Sequence, residues 1–212
     1  DRAAPGVSEH ALSAAATKVI LAGGGRVDSI ALGSTPGSAP ALPAANPLPT
    51  SRRLENGDLI LADISAGFMG TTAQIANPIC VGKSASAVNE LWQIAEAGFK
   101  HLEGCLQPGT RLDEIARAAR FFRDRGYQCA PLVLQGLDIA ASTPRVYAQG
   151  CEAEEFEQTL KPGMVVVLRP DVLAPQGEWG IAISRTYGIT AEGNRCLTPY
   201  PVELVAGKGV TP

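Results

Sequence analysis

The sequence predicts an α/β domain built from two copies of one helix-then-sheet unit. The chain has 212 residues, of which 45% are hydrophobic and 18% charged, a balance that suits one buried core and does not suit a disordered chain. A Pro-Gly turn opens an apolar helical pattern at residues 5–6 and again at 108–109, 103 residues later. A polar turn opens an apolar strand at 54–60 and again at 160–166, 106 residues later. Two repeats in one order at nearly one offset predict duplicated halves related by a pseudo-two-fold axis.

Amphipathic helices are predicted after the first Pro-Gly turn and on both sides of the second. In 86–106 and 110–125 the apolar side chains recur every three or four residues, which is the spacing of one helix face. Thr110 and Asp113 have the spacing of a capping box at the start of the second of these helices. The Pro-Gly turn at 108–109 separates the two helices and predicts a helical hairpin.

Strands are predicted after each polar turn and near the end of the chain. Segment 179–190 alternates bulky side chains such as Ile183 and Tyr187 with small ones such as Ser184 and Thr186, a period of two that indicates a strand. Segment 33–49 contains five prolines and predicts an irregular connection.

The first repeat lacks a counterpart of the helix predicted at 86–106. Only four residues precede Pro5, so the apolar face formed by Leu12, Ala15 and Val19 should be partly uncovered. We therefore expect a homodimer or an association with a missing N-terminal segment.

Composition narrows the range of partners. The net charge is −3 and basic residues alternate with acidic ones, so no nucleic-acid footprint is expected. No apolar run reaches the about 20 residues that a transmembrane helix needs, and no secretory pattern opens the chain. The five cysteines form no C-x-x-C pair and are interpreted as buried reduced thiols. A cytoplasmic protein with a small-molecule or protein partner is the expectation.

The order of short motifs resembles a known family. These motifs lie at 57–63, 160–166, 189–193 and 197–204, and in this order they resemble the creatinase, prolidase and aminopeptidase P superfamily, of M24 type. The resemblance implies one pita-bread domain over 1–212, with two pseudo-two-fold related helix-plus-sheet halves around a curved antiparallel sheet.

The family's metallopeptidases hold two metal ions with two aspartates, a histidine and two glutamates. Asp63 matches the first aspartate, but the other four ligand positions correspond to Gln74, Val133, Arg169 and Ser184. These side chains lack the carboxylate and imidazole groups that such a site requires, so no metal or other cofactor is expected.

A second family histidine, which contacts substrate, corresponds to Ala140, and the chain's two histidines, His10 and His101, lie in predicted helices away from the motifs. Both are interpreted as surface or capping residues. Creatine hydrolysis and metal-dependent peptidase activity are therefore not supported.

The residues at the family's ligand positions leave three candidate functions. The first is a metal-independent enzyme acting on a small amino-acid-like or amide substrate that carries a carboxylate, by C–N bond hydrolysis or related lyase chemistry. Its candidate catalytic residues are Asp63, Asp138 and Ser184, and its candidate substrate-binding residues are Arg169, Gln74 and Arg185. The second is a non-catalytic binding module, and the third is one part of a larger assembly. For each site residue a structural role is also open, such as a salt bridge, a turn or a small strand residue.

Asp63 and Arg169 occupy equivalent positions in the two repeats. Each lies six residues after its turn glycine, Gly57 or Gly163. A pseudo-two-fold axis would therefore place the two side chains face to face across the cleft floor, with the guanidinium where the family has a metal cation. We expect the two charged groups to lie within about 6 Å of one another, close enough for a direct or water-bridged contact.

Overall fold

The computed structural model of the chain describes residues 2–137, 143–148, 150–151 and 158–207. The helices are α1 (Glu9–Ala22), α2 (Ser86–Glu103), α3 (Leu112–Ala118) and α4 (Arg120–Arg123). The long strands are β1 (Arg26–Pro36), β2 (Asp58–Phe68) and β3 (Thr71–Val81). The shorter strands are β4 (Gln128–Cys129), β5 (Leu132–Gly136), β6 (Arg145–Tyr147), β7 (Gly150–Cys151), β8 (Val165–Leu168), β9 (Val172–Leu173), β10 (Gly180–Ile181), β11 (Arg185–Ile189), β12 (Asn194–Cys196) and β13 (Val205–Gly207). The mixed α/β class is confirmed.

Each half has its own sheet. In the first half, β1, β2 and β3 form an antiparallel meander, and β13 from the end of the chain pairs with β3 in parallel. In the second half, the six-stranded order is β12-β11-β8-β5-β6-β7, and β10, β9 and β4 form a small separate sheet. The two large sheets meet where Ala76 of β3 pairs with Ser184, just before β11. This junction brings the inner strands of the two halves into one curved layer.

The backbone hydrogen bonds confirm the predicted repeat. Gly6 donates to Leu54 O at 2.8 Å, and Gly109 donates to Leu160 O at 2.8 Å. All four turn glycines adopt positive φ, namely Gly6 84°, Gly109 87°, Gly57 90° and Gly163 92°. A side chain is rarely tolerated in this conformation, which explains why glycine stands at each equivalent turn.

The helices of the second half enclose most of the apolar core. Phe99 and Leu102 of α2, Ile115 of α3 and Phe122 of α4 are fully buried against Val166 of β8 and its neighbours. Gly98 allows the close contact, since a Cβ at this position would lie 2.2 Å from the Phe122 ring. The predicted helix at 86–106 is thus confirmed, with its last turn ending at Glu103.

Three local predictions need correction. The helix predicted over 110–125 is divided at Ala119, and no side chain caps its start: the N-cap is Arg111, while Asp113 pairs with Arg111 and Arg117. The connection predicted from Gly33 begins only after Pro36, because β1 continues to that residue. Segment 179–190 is two strands, β10 and β11, separated by three residues.

Among the described residues, no helix combines the length and the apolar character needed to cross a membrane.

Candidate functional site

Strand register places the candidate residues in one row across the junction of the sheets. Asp63 of β2 pairs with Ala76 of β3, which pairs with Ser184. Arg185 pairs with Leu168, so the same register carried one residue further sets Arg169 opposite Ser184. Directly paired residues on neighbouring strands point to the same face of a sheet. Asp63, Ser184 and Arg169 therefore share one face.

A second row lies beside the first, two residues along each strand. It consists of Ser65, Gln74, Thr186, Val167 and Gln135. Because side chains alternate between faces with a period of two, this row points to the same side as Asp63. Thr186 joins the halves here, since its hydroxyl donates to the Gln74 carbonyl and accepts from the Gln74 N–H, both at 2.9 Å.

An ion-pair cluster occupies the centre of this face. Arg169 Nη2 lies 3.3 Å from Asp63 Oδ2 and 3.4 Å from Asp171 Oδ2. The side chains are 24%, 14% and 15% exposed for Arg169, Asp63 and Asp171. The predicted contact between Asp63 and Arg169 is therefore confirmed, and a second carboxylate shares the guanidinium.

Two glutamines extend the cluster towards β5. Gln74 Nε2 donates to both carboxylate oxygens of Asp63, at 2.8 and 2.9 Å. Gln135 Nε2 donates in turn to Gln74 Oε1 at 3.2 Å. Asp63 is thus held on one side by an amide and on the other by a guanidinium, and its orientation is fixed.

A tight turn brings Asp171 into the cluster. The N–H of Asp171 donates to the carbonyl of Arg169 at 2.8 Å, the two-residue bond of a γ-turn around Pro170. Asp171 Oδ1 then accepts the N–H of Ile183 at 3.1 Å. The Arg169 N–H donates to Val133 O at 2.8 Å, which fixes this end of β8 against β5.

Burial dominates the electrostatics of both carboxyl groups. It raises the pKa of Asp63, although the Arg169 charge and the Gln74 hydrogen bond oppose that shift. Burial also raises the pKa of Asp171 to about 6; the Arg169 charge opposes the rise and the Asp63 charge adds to it. A single cation shared by two carboxylates cannot fully stabilise both ionised forms.

Ser184 lies at the centre of the row. It is fully buried, and its hydroxyl has no partner among the described residues. A buried hydroxyl without a partner is costly, so this position departs from ordinary packing in a strand that is otherwise well satisfied.

The structure does not bring Arg185 to this face. Adjacent residues in a strand point to opposite sides, and Arg185 follows Ser184. All five N–H donors of its guanidinium have acceptors, which are Tyr200 O, Ala76 O, Ser184 O, Asn77 Oδ1 and Pro201 O. Arg185 therefore fastens the segment at 200–201 to the sheet junction, and no donor is left for a substrate.

The remaining candidates lie elsewhere or outside the described residues. Asp138 and Ala140 fall in a segment that lies outside them. Val133 is fully buried in the core, and His10 and His101 are exposed, in agreement with the surface role predicted for both histidines. The four cysteines with described side chains are free thiols, but only Cys80 is buried, whereas Cys105, Cys129 and Cys196 are half-buried.

The residues at this site do not fit the metal pair of the resembled family. A guanidinium lies against Asp63, the Gln74 amide presents its N–H groups rather than a carboxylate, and Val133 has no donor atom. Within the described ranges, no group of three or more histidine, cysteine, aspartate or glutamate side chains could hold an ion. Metal ions of this class require anionic oxygen or imidazole ligands.

Sequence reasoning missed three members of the site, Asp171, Gln135 and Thr186. A signal existed for Gln135 and Thr186, which lie two residues from Val133 and Ser184 respectively. In extended chain, residues two apart share a face, so this rule identifies both of them. It does not identify Asp171, because the chain turns at Pro170 between Arg169 and Asp171.

The model of the family described as Metallopeptidase family M24 matches residues 1–191. The chain is 25% identical over 205 residues to an uncharacterized peptidase, YqhT, of Bacillus subtilis, covering 95% of this chain and 56% of that protein. It is 26% identical over 160 residues to a Xaa-Pro dipeptidase of Pyrococcus furiosus, covering 74% of this chain and 44% of the relative.

The structure superposes on that of dipeptidase PepE from Mycobacterium ulcerans with a TM-score of 0.83 at 21% identity, covering 98% of this chain and 54% of that one. The pita-bread architecture implied by the motifs is confirmed. The chain spans about half the length of the curated relatives that it matches.

Proposed function

Because the chain belongs to metallopeptidase family M24, we propose that it is a divergent member that serves as a binding module and does not catalyse metal-dependent peptide hydrolysis. The observation that carries this proposal is the position of the Arg169 guanidinium, 3.3 Å from Asp63. A fixed cation in this place supplies the positive charge that a metal would supply, but it has no open coordination position and cannot activate a water molecule as a metal does.

The polar groups of the site are largely engaged with one another. Asp63 is bonded by Gln74 and faces Arg169, and Asp171 accepts from Ile183 and faces Arg169. No described histidine lies at the site. Such a cluster holds the strand ends of both halves together, which is a structural use of the position.

Metal content is the first test. Elemental analysis of the protein after desalting in the presence of manganese or cobalt should find no stoichiometric metal. Hydrolysis of Xaa-Pro dipeptides should stay at the rate without protein when either metal is added. Two retained metal ions per chain, or metal-stimulated hydrolysis, would refute the proposal.

A matched positive control is available in the same chain. The four substitutions Gln74→Asp, Val133→His, Arg169→Glu and Ser184→Glu restore the ligand types that the family resemblance assigns. If the fold is otherwise that of the family, this variant should retain metal where the unaltered chain does not. Circular dichroism would show whether the variant is folded, and the result for the unaltered chain stands in either case.

A second function, a metal-independent enzyme acting on a small carboxylate-bearing substrate, is favoured by two observations. The pKa of Asp171 is raised to about 6 by burial despite the Arg169 charge, which suits a general base near neutral pH. The Ser184 hydroxyl is unpaired among the described residues. Binding of acetylated dipeptides or N-acyl amino acids, followed by turnover that Asp171→Asn abolishes in metal-free buffer, would favour this enzyme over the module.

A further inference from the structure

A small cavity lies in the second half, beside helix α4 and strand β4. It has a volume of about 180 Å³ and is lined by Arg120, Arg123, Tyr127, Gln128, Cys129 and Ala148. Helix α4 supplies the two arginines, strand β4 and the residue before it supply the next three, and Ala148 follows β6. We propose that this cavity binds a small phosphate group, either as the free ion or as the terminus of a phosphomonoester.

The charge of the lining residues favours an anionic ligand. Arg120 and Arg123 are three residues apart, and side chains at this spacing are neighbours on a helix surface. Among the described residues, the lining includes two guanidinium groups and no carboxylate. The Cys129 thiol adds no negative charge at neutral pH, because burial, with a smaller contribution from the Asp171 charge, raises its pKa to about 12. The described lining is therefore positively charged.

The neighbouring arginines show that pairing is the rule in this segment. Arg117 pairs with Asp113 at 2.7 Å. Arg125 lies 3.6 Å over the Phe121 ring and donates to the Phe121 carbonyl. By contrast, the guanidinium groups of Arg120 and Arg123 make no ion pair or hydrogen bond within the described ranges. The two arginines of this segment that lack a local partner are the two that line the cavity.

The donors and the volume indicate the ligand class. Two guanidinium groups offer planar pairs of N–H donors, which match the oxygens of phosphate in bidentate geometry. The Tyr127 hydroxyl, also without a hydrogen bond in the described part of the chain, supplies a further donor. A phosphate dianion balances two cations, whereas a carboxylate balances one. The cavity is smaller than the about 300 Å³ at which pockets for drug-sized ligands begin, so it fits the phosphate group rather than a large molecule.

The test is a calorimetric titration of the chain with inorganic phosphate, O-phosphoserine and acetate at one ionic strength. Saturable binding of phosphate or of O-phosphoserine supports the proposal; binding of phosphate alone indicates the free ion, and binding of O-phosphoserine indicates a phosphomonoester. Acetate should bind at least about tenfold more weakly, since it satisfies fewer donors. Equal binding of acetate, or no saturable binding of either phosphate or O-phosphoserine, overturns the proposal.

Substitution assigns the binding to the cavity. Arg120→Gln with Arg123→Gln should weaken phosphate binding by at least about tenfold, because both charge-assisted contacts are lost. Arg195→Gln removes an exposed arginine on β12 outside the cavity and should leave the affinity for phosphate unchanged. The two single substitutions should give intermediate affinities and serve if the double variant is not folded. Binding that persists in the double variant, or is lost equally in Arg195→Gln, contradicts the assignment.

Discussion

The two halves of the molecule build the same backbone frame around different side chains. The N–H of Glu9 donates to Arg52 O at 3.0 Å, and in the second half the N–H of Leu112 donates to Gln158 O at 3.1 Å. Glu9 and Leu112 are therefore equivalent, and both are buried. One half fills this position with a carboxylate and the other with an apolar side chain. The backbone turns persist, while the interior chemistry has diverged.

The first half surrounds its carboxylate with donors. Glu9 accepts from the N–H and hydroxyl of Ser34 at 2.7 and 2.6 Å, and from the N–H and hydroxyl of Thr50, both at 2.8 Å. Arg52 Nη1 donates to Ser34 Oγ at 2.7 Å and to Asp58 Oδ2 at 2.6 Å. This network fastens the long connection after β1 to α1. In the second half, Leu112 joins the apolar core.

The buried carboxyl groups of the two halves, Glu9 and Asp171, have pKa values shifted in opposite directions. Burial alone would raise the pKa of Glu9, but hydrogen bonds from Ser34 and Thr50 outweigh it and lower the pKa. At Asp171, burial raises the pKa, and the shared Arg169 charge and the Ile183 N–H do not outweigh it. Burial acts in the same direction at both carboxyl groups, and only at Glu9 do the hydrogen-bond donors outweigh it.

The largest expected effect is the loss of the cation that joins the halves. Arg169→Met should lower the free energy of unfolding by about 3 kcal/mol, since it leaves two buried carboxylates without a counter-charge. Asp63→Leu combined with Arg169→Met should cost less than Arg169→Met alone, because the stranded charge is removed as well. Urea denaturation at pH 7.5 measures both. Strictly additive effects in this double-mutant cycle would show that the Asp63 and Arg169 charges are not energetically coupled.

Glu9→Gln tests whether the first half depends on its network. The variant should lose about 2 kcal/mol at neutral pH, because an amide N–H then faces donor groups and a charge-assisted acceptor is lost. The lowered pKa of Glu9 means that the carboxylate stabilises the fold above its unfolded pKa and that this contribution fades as the pH falls. The difference in free energy of unfolding between Glu9→Gln and the unaltered chain should therefore become smaller as the pH falls. Glu96→Gln, which breaks the more exposed pair with Lys100, is the matched control and should cost at most about 0.5 kcal/mol.

The contact of Asp63 with Arg169 could be predicted from the sequence. The assignment of Arg185 to the same face of the sheet was wrong. Asp63 and Arg169 follow equivalent glycines by the same number of residues, and a repeat transfers geometry between halves. Arg185 was included in the candidate site together with Ser184, yet adjacent residues in a strand point to opposite faces. The γ-turn at Pro170 that brings Asp171 to Arg169 depends on tertiary contacts that no periodicity reveals.

Asp171→Asn should change the pH dependence in the opposite direction to Glu9→Gln. A raised pKa in the folded state means that Asp171 stabilises the fold below its unfolded pKa and that this contribution is lost as the pH rises through about 6. Between about pH 4 and pH 7, the free energy of unfolding of the variant should therefore fall by about 2 kcal/mol less than that of the unaltered chain. Urea unfolding at several pH values measures it. An unchanged decline would mean that Asp171 does not titrate in that window.

The smallest expected effect on stability concerns the surface, where the halves also differ. In the second half α2 covers α3 and α4, but no described helix covers α1 in the first half. Four large apolar side chains are exposed at the end of α1 and the tip of the β2–β3 hairpin, namely Val19 72%, Leu21 58%, Phe68 55% and Met69 88%. The two elements are adjacent, since a Cβ on Gly24 would lie 3.7 Å from the Phe68 ring. Exposed apolar patches of this kind mark contact surfaces.

We expect this surface to mediate self-association of the chain. Light scattering over a range of concentrations should show species larger than the 22.0 kDa monomer. Val19→Glu with Met69→Asn should shift the equilibrium to the monomer and change the stability by no more than about 0.5 kcal/mol, because neither side chain is buried in the fold. Asparagine suits position 69, where φ is 48°. Leu48→Asn removes a 77% exposed apolar side chain of the connection after β1, which is not one of the four patch residues, and should leave association intact. A monomer at every concentration would show that the uncovered face of the first half is not covered by a second copy.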